Sequence, residues 1–353
     1  MGWSETLKRL TGRAAATTPL PSADYYFLAG VGDLISPSGV PTPRQPIVQL
    51  GPNTWVHADR LVIIRYATAR ELANIEAMSW RSVHYVIDDL LPAAAASFEL
   101  PPDYREKLQR FTANLLPRIL GLAPTIVAPS QAILDGFPEH PHQLLDPVCL
   151  SVLEPLGLPP PTPWVGPIRI AFLGTRSHIG SMTLIDGLAQ GLERACLDIR
   201  LHLFMGRHLP APLAARRNIV NDRPLSWDEF RAFCRTSRFH VGLAPVQNTS
   251  FAQARSITKI MDHAAVGVYS RRPPFDSVIE HGRTGMFAAD GPEAWTAAIL
   301  DLASAPRHAA EIARAGAELA AQRGAPARVR RFWLKALGLS AWFAHSDKAR
   351  SGI

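Results

Sequence analysis

The sequence has 353 residues, of which 47% are hydrophobic and 19% are charged. This length exceeds that of one typical domain, and the composition excludes a largely disordered chain. The formal net charge is +7. The basic residues are scattered and mostly arginine, with no basic run interleaved with aromatic residues, so no nucleic-acid partner is expected.

The cysteine content and the apolar segments bear on the cellular compartment. Cys149, Cys196 and Cys234 are far apart and odd in number, which favours a reducing environment over a disulfide framework. No apolar stretch approaches the ~18 residues of a transmembrane helix, and the first 16 residues lack the apolar run of a signal peptide. We expect a cytoplasmic protein. Residues 3–10 form either a frayed terminus or a small helix in peripheral contact with the inner membrane surface.

The first half of the chain has an α/β pattern. Short apolar runs at 61–64, 83–87 and 126–128 predict buried strands. Helical patterns follow them at 67–78, 102–120 and 130–135. This alternation predicts βαβ units and a parallel sheet.

A Pro-rich stretch divides the chain. Four of the five residues 159–163 are proline, a composition that forms neither helix nor central strand and makes a semi-rigid spacer. We therefore predict a domain of residues 1–158, a hinge of residues 159–166 and a second domain of residues 167–326. Residues 327–353 would be a C-terminal helix and tail.

The second half repeats the α/β pattern. Strands are predicted at 168–173, 201–204, 241–244 and 268–270, and helices at 182–195, 256–265, 295–303 and 307–322. The helix at 256–265 is expected to stop at Gly267. This is a second doubly wound sheet, so its ligand should lie at the carboxyl ends of the strands. The aromatic-rich last helix, 328–343, either crosses back to the first domain or caps its own.

The stretch from Ser256 to Asp262 has a spacing suited to a nucleotide. Ser256 is a good N-cap for a helix whose free N–H groups would face an anion. Lys259 lies one turn inside and can reach the same phosphate. Asp262 shares the face of Lys259 and can accept hydrogen bonds from a ribose. An ordinary surface helix with a Lys–Asp pair is the alternative.

This stretch, followed by Gly267, resembles the donor-site signature of GT-B glycosyltransferases of the bacterial group 1 family, which are retaining enzymes. The resemblance implies two Rossmann-like, doubly wound domains that face a cleft. It implies that Asp262 binds the ribose and that Ile257 belongs to the donor-binding helix. The chain departs from the family at Ala254, where a glutamate that contacts the donor sugar is usual.

Two further stretches resemble the same family. The loop after the first strand of the second domain is expected to hold the donor diphosphate through Gly174, Thr175, Arg176 and His178. Here the guanidinium would bind phosphate and the imidazole would donate to it. A polar loop without this role is the alternative. The turn at 279–287 and the Trp295 that follows it support the fold more than the chemistry.

Two carboxylates, Asp88 and Asp89, follow a buried strand of the first domain. Related bacterial enzymes have a similar pair facing the cleft, so these residues are expected to position an acceptor hydroxyl or to take its proton. A metal-binding Asp-x-Asp motif of the GT-A class has a different spacing. An N-cap aspartate with a solvated neighbour is the remaining alternative.

The sequence thus predicts transfer of a sugar from a nucleotide-diphosphate sugar to a hydroxyl acceptor, with retention of configuration. A glycan or lipid-linked glycan is the expected acceptor. Arg176 and Lys259 would stabilise the leaving diphosphate, and the donor is a co-substrate, so neither a metal nor another cofactor is expected. The histidines are not at metal-ligand spacing with acidic or cysteine partners. A competing class is a non-catalytic relative that acts as a scaffold or a sugar-nucleotide sensor, which the alanine at 254 favours.

Overall fold

The computed structural model describes residues 21–149, 164, 166–195, 197–262 and 265–340. Within this part the chain forms two compact units. The first unit contains residues 21–88, 110–148 and 324–340, and the second contains residues 89–109 and 149–323. Residues 89–109 therefore belong to the second unit, although they precede the Pro-rich stretch. The prolines at 159–163, residues 3–10 and the end of the predicted last helix at 341–343 lie outside the described residues.

Thirteen strands occur in the described residues and form two sheets. The strands are β1 Ile35–Ser36, β2 Ile47–Gly51, β3 Thr54–His57, β4 Arg60–Ile64, β5 Ser82–Val86, β6 Thr125–Ala128, β7 His142–Leu144, β8 Ile168–Phe172, β9 Ile199–Leu203, β10 Ile219–Asn221, β11 Val241–Ala244, β12 Val266–Ser270 and β13 Met286–Ala288.

The α-helices of the same residues are α1 Pro21–Leu28, α2 Ala69–Glu76, α3 Leu91–Ala96, α4 Pro102–Asn114, α5 Leu116–Gly121, α6 Gln131–Leu134, α7 Met182–Arg194, α8 Ala211–Ala214, α9 Trp227–Thr236, α10 Ser250–Gln253, α11 Thr258–Asp262, α12 Pro292–Ser304, α13 Pro306–Arg323 and α14 Pro326–Ala336. Short 3-10 helices cover Ala29–Leu34, Arg176–Ser181 and Gly206–His208. No helix of the described residues has the length and apolar character needed to cross a membrane.

The sheet of the first unit has seven strands in chain order, β1 to β7. Strands β4 to β7 are parallel, and the inner strands are buried on both faces, as is usual for a parallel sheet. Strands β2, β3 and β4 are joined by two antiparallel hairpins that the sequence analysis did not identify. The single helix predicted at 102–120 is divided into α4 and α5, because Pro117 lacks the N–H that would continue the first helix.

Helix α14 belongs to the first unit, the first of the two alternatives for the last helix, and packs against α1 and the Ala29–Leu34 helix. The indole N–H of Trp333, which is fully buried, donates to the carbonyl of Phe27 at 2.6 Å. Arg330 binds both the carboxylate of Asp33, at 2.6 Å, and the carbonyl of Gly30, at 3.1 Å. This helix is thus fixed to the first unit by one buried aromatic side chain and one ion pair.

The sheet of the second unit has six parallel strands in the order β10-β9-β8-β11-β12-β13. After β8 the chain adds β9 and β10 on one side and then returns to add β11 on the other. This is a doubly wound sheet, as predicted, and its winding direction reverses between β8 and β11. One apolar cluster joins the sheet to α7, α12 and α13. A second joins Ala244 of β11 and Tyr269 of β12 to α11 and Phe275.

The prediction that a helix stops at Gly267 is wrong. Gly267 lies inside β12, which begins at Val266. A Cβ atom at position 267 would lie 2.0 Å from the hydroxyl oxygen of Tyr269, so the absence of a side chain lets the tyrosine ring cover the strand. Gly267 therefore makes room for an aromatic side chain within a strand and does not end a helix.

Candidate functional site

The reversal of winding in the second sheet determines where to look for a site. Strands β8 and β11 are hydrogen-bonded neighbours, with Val241 opposite Ile170. The chain leaves their adjacent carboxyl ends in different directions, through the loops at 173–181 and 245–257. In open α/β sheets the crevice outside such ends is where ligands bind. We call these two segments the β8 loop and the β11 loop.

The β8 loop contains four of the predicted donor-binding residues. A Cβ atom at Gly174 would lie 2.4 Å from the ring of Phe172, so this turn requires glycine. The same ring meets the imidazole of His178 edge-on, with 6.0 Å between centroids. The backbone N–H of His178 donates to the carbonyl of Thr175 at 2.8 Å. These contacts hold His178 at the carboxyl end of β8.

The pKa of His178 depends on its burial and on cations of the β11 loop and α11. Burial lowers the pKa of its imidazole well below the usual value, and the positive charges of Arg255 and Lys259 lower this pKa further. A hydrogen bond with the Thr175 backbone opposes these effects. His178 is consequently a neutral imidazole close to two cationic side chains, and it can donate one hydrogen bond.

Lys259 connects α11 to the end of β8, because its ammonium donates to the carbonyl of Leu173. Helix α11 begins at Thr258, two residues later than predicted, so Ser256 precedes it. The Ser256 hydroxyl accepts from the Thr258 N–H at 3.3 Å and lies 2.7 Å from the Thr258 hydroxyl. Ile257 is buried in the apolar cluster that supports this helix. Asp262 is the last residue of α11.

Arg176 points its guanidinium at α4. It forms an ion pair with Asp103 at 2.9 Å, and it lies over the ring of Tyr104, 5.7 Å from the centroid. The side chains of Arg176 and Asp103 are 40% and 67% exposed. Exposed pairs of this kind are weak, so a phosphate group can displace Asp103 from the guanidinium.

The two aspartates predicted as a pair have different partners. Asp88, in the first unit, is held by both Nε and Nη1 of Arg65 at 3.1 Å. The hydroxyl of Tyr85 donates to the carbonyl of Arg65 at 2.8 Å and supports the arginine. Asp89 is in the second unit, where its carboxylate lies 3.4 Å from Nε of Arg255.

Arg255 is a candidate that sequence reasoning missed. Its guanidinium is 19% exposed and lies over the ring of Phe251, 4.7 Å from the centroid. Its backbone forms an antiparallel bridge with Asp89, and the N–H of Leu90 donates to the carbonyl of Ala254 at 3.2 Å. The sequence did place a cationic residue directly before Ser256, the predicted N-cap. Spacing alone did not distinguish this arginine from an ordinary surface residue.

Gln247 was also missed, and it connects the two loops. Its amide donates to the hydroxyl of Ser181 at 2.6 Å. The β8 loop is therefore contacted at two places, by Gln247 of the β11 loop and by Lys259 of α11. The switch point thus carries two guanidinium groups, an ammonium and an amide. Such groups bind an anionic ligand that has polar substituents.

No protein-family model and no curated protein matches the sequence. Solved structures do match the fold. HepE from Anabaena, solved in complex with UDP and glucose, is 15% identical with a TM-score of 0.53, and the match covers 80% of this chain and 78% of that chain.

Two further structures have a similar likeness. Sucrose-phosphate synthase from Thermosynechococcus elongatus is 11% identical with a TM-score of 0.54, over 83% of this chain and 74% of that one. A glycosyltransferase from Rickettsia africae is 12% identical with a TM-score of 0.51, over 94% and 86%. The two sheets of this chain thus have the mixed α/β fold of GT-B glycosyltransferases.

Proposed function

We propose that this chain is a glycosyltransferase that moves a sugar from a nucleoside-diphosphate sugar to a hydroxyl acceptor. The observation that carries the proposal is the position of Arg176 and Arg255 on the two loops that flank the switch point of the second sheet, with Lys259 on the helix α11 that follows the β11 loop. The fold supports it, because HepE, which has the same fold, was solved with UDP and with UDP-glucose.

The diphosphate is the part of the donor that these cations fit. Breaking the glycosidic bond leaves negative charge on the diphosphate, and fixed cations stabilise that charge most where water is excluded. The arginines can hold phosphate oxygens with two hydrogen bonds each, whereas Lys259 acts as a point charge. His178 contributes a neutral donor, and Asp262, one turn along α11 from Lys259, binds the ribose.

The remaining chemistry is part of the same proposal. Three cationic side chains supply the charge that a divalent metal would otherwise supply, so the transfer proceeds without a metal. Retention of the anomeric configuration is what the resemblance to the group 1 family implies. Asp88, held by Arg65, accepts a hydrogen bond from the acceptor hydroxyl. The acceptor is a glycan or a lipid-linked glycan. Transfer measured with and without a chelator tests the metal requirement, and full loss of activity on chelation contradicts it.

Donor binding is tested by thermal stabilisation against a panel of nucleoside diphosphates and sugar nucleotides. A ligand at 100 times its Kd adds about 2.7 kcal/mol to the free energy of unfolding, so one nucleotide should raise the melting temperature clearly. Lys259→Ala should reduce the affinity for that nucleotide by roughly tenfold or more.

Lys335→Ala is the matched control, because Lys335 is an exposed lysine of α14 in the first unit. It should bind the same nucleotide as the wild type. If no nucleotide stabilises the folded wild-type protein, the donor site is wrongly assigned.

A non-catalytic relative that senses a sugar nucleotide is the second candidate. The observation that favours it is Ala254, which is 3% exposed and puts no carboxylate in the β11 loop. The two candidates differ in turnover. Release of free nucleoside diphosphate from the bound sugar nucleotide, in the presence of an acceptor mixture, supports the enzyme. Binding without release under every acceptor condition supports the sensor.

A further inference from the structure

The carboxylates around the two loops come from a distant part of the sequence. The β8 loop, residues 173–181, and residues 245–261 contain no aspartate or glutamate. The segment 89–109, which the structure places in the same unit, brings three acidic residues to them. Asp89 pairs with Arg255, Asp103 pairs with Arg176, and Glu99 packs beside Gly180. The loops supply the cations and this segment supplies the anions.

Asp89 has the most constrained position of the three. Its backbone is fixed to Arg255 by an antiparallel bridge, and the next residue, Leu90, donates to the carbonyl of Ala254. Its side chain is only 22% exposed, against 67% for Asp103. Backbone pairing thus places a carboxylate directly beside Ala254, a position whose own side chain is a methyl group.

A carboxylate in this place has a defined chemical preference. It repels the diphosphate, whose charge has the same sign, but it accepts hydrogen bonds strongly from hydroxyl groups. A carboxylate has about four acceptor positions, so contact with Arg255 leaves capacity for a hydroxyl. A sugar nucleotide offers uncharged hydroxyls on both sides of the diphosphate, on the ribose and on the transferred sugar. Because the proposed function assigns the ribose to Asp262, the transferred sugar is the partner left for Asp89.

Resting on the proposed function, we infer that Asp89 accepts a hydrogen bond from a hydroxyl of the transferred sugar and is a specificity-determining residue for the donor. Arg255 orients the carboxylate and at the same time faces the diphosphate. Asp89 therefore discriminates the sugar nucleotide from the free nucleoside diphosphate, and one sugar from another by the position of the hydroxyl it accepts.

The test compares two affinities in each variant by calorimetry. The probes are UDP with UDP-glucose, GDP with GDP-mannose, ADP with ADP-glucose and dTDP with dTDP-glucose, and the pair that binds the wild type is used. We expect Asp89→Asn to reduce the affinity for the sugar nucleotide by roughly tenfold, because a hydrogen bond to a charged group is lost. The affinity for the free nucleoside diphosphate should not fall, because this variant removes a negative charge that repels the diphosphate and competes for Arg255.

Asp103→Asn is the control on the same segment. Asp103 forms its ion pair with Arg176, so Asp103→Asn should change the affinities for the nucleoside diphosphate and for the sugar nucleotide by the same factor. If Asp89→Asn weakens both ligands equally, or neither, the inference is overturned and Asp89 only anchors its segment. If no pair binds the wild type, the proposed function itself has failed, which is a separate result. The melting temperature of Asp89→Ala, compared with that of the wild type, shows whether the protein still folds without this carboxylate.

Discussion

At the scale of single residues, Arg176 and Arg255 are held in different ways. Arg255 is mostly buried, stacked on Phe251 and paired with Asp89. Arg176 is more exposed and pairs with an aspartate that is itself largely in solvent. Arg255 is therefore preorganised, whereas Arg176 must exchange its protein partner for a ligand before it can contribute to binding.

This difference predicts the effect of removing the competing carboxylate. Asp103→Asn should tighten the binding of a nucleoside diphosphate by roughly two- to fivefold, because the guanidinium of Arg176 no longer gives up an ion pair. The measurement is a calorimetric titration at low and at high salt, and the gain should shrink as salt screens the exposed pair. Weaker binding in this variant would mean that Asp103 positions Arg176 productively.

The residues of the candidate site were predictable to different degrees. Lys259 follows a local spacing, and the structure places it on α11 as that spacing indicated, whereas Ser256 lies two residues before the helix begins. Arg255 and Asp89 could not be paired from the sequence, because they are 166 positions apart and only a non-local backbone bridge joins them. Local patterns identify helix caps, but they carry no information about which distant segment lies beside the cap.

At the scale of elements, strands buried on both faces were the easiest to predict. The strands β4, β5, β6 and β11 read as continuous apolar runs, since parallel strands are covered on both faces. The hairpin of β2 and β3 was missed, because its strands mix Gln49, Thr54 and His57 with apolar residues and have no long uninterrupted apolar run. The register of a hairpin depends on its turn, which apolar patterning does not describe.

Helix α14 offers a test at this scale. Trp333 is completely buried, and its indole donates to Phe27, so Trp333→Ala should reduce the free energy of unfolding by about 3–5 kcal/mol. Arg331→Ala, an exposed residue of the same helix, should change it by less than about 0.5 kcal/mol. Urea denaturation followed by circular dichroism measures both. A loss below about 1 kcal/mol for Trp333→Ala would show that this helix contributes little to the first unit.

At the scale of the whole molecule, four buried or partly buried histidines change the free energy of unfolding in the same direction as the pH falls. Burial lowers the pKa of His84, His178, His202 and His240, and for His240 to about 4. His240 accepts the N–H of Arg169 through Nδ1 at 2.9 Å, which requires a neutral ring. An unfolded histidine binds a proton near pH 6.5, whereas the folded one resists it, so the unfolded state binds more protons below that pH.

The free energy of unfolding should therefore fall as the pH decreases from 6.5 towards 4. The melting temperature, measured at steps between pH 7.5 and pH 5, should decline steadily, and His240→Gln should decline less steeply than the wild type. His308→Gln is the control, since His308 is exposed on α13. Equal slopes for the wild type and His240→Gln would show that His240 is not held neutral by the fold.

The division of the chain between the units has a consequence for inheritance. Neither half of the sequence encodes one unit, because residues 89–109 belong with the second sheet and residues 324–340 with the first. A genetic crossover within the Pro-rich stretch, the natural place to exchange halves between relatives, would separate Asp89 from Arg255 and Trp333 from Phe27. Surviving hybrids must therefore inherit matched pairs across the junction, so these two short segments should vary in step with the opposite half of the gene.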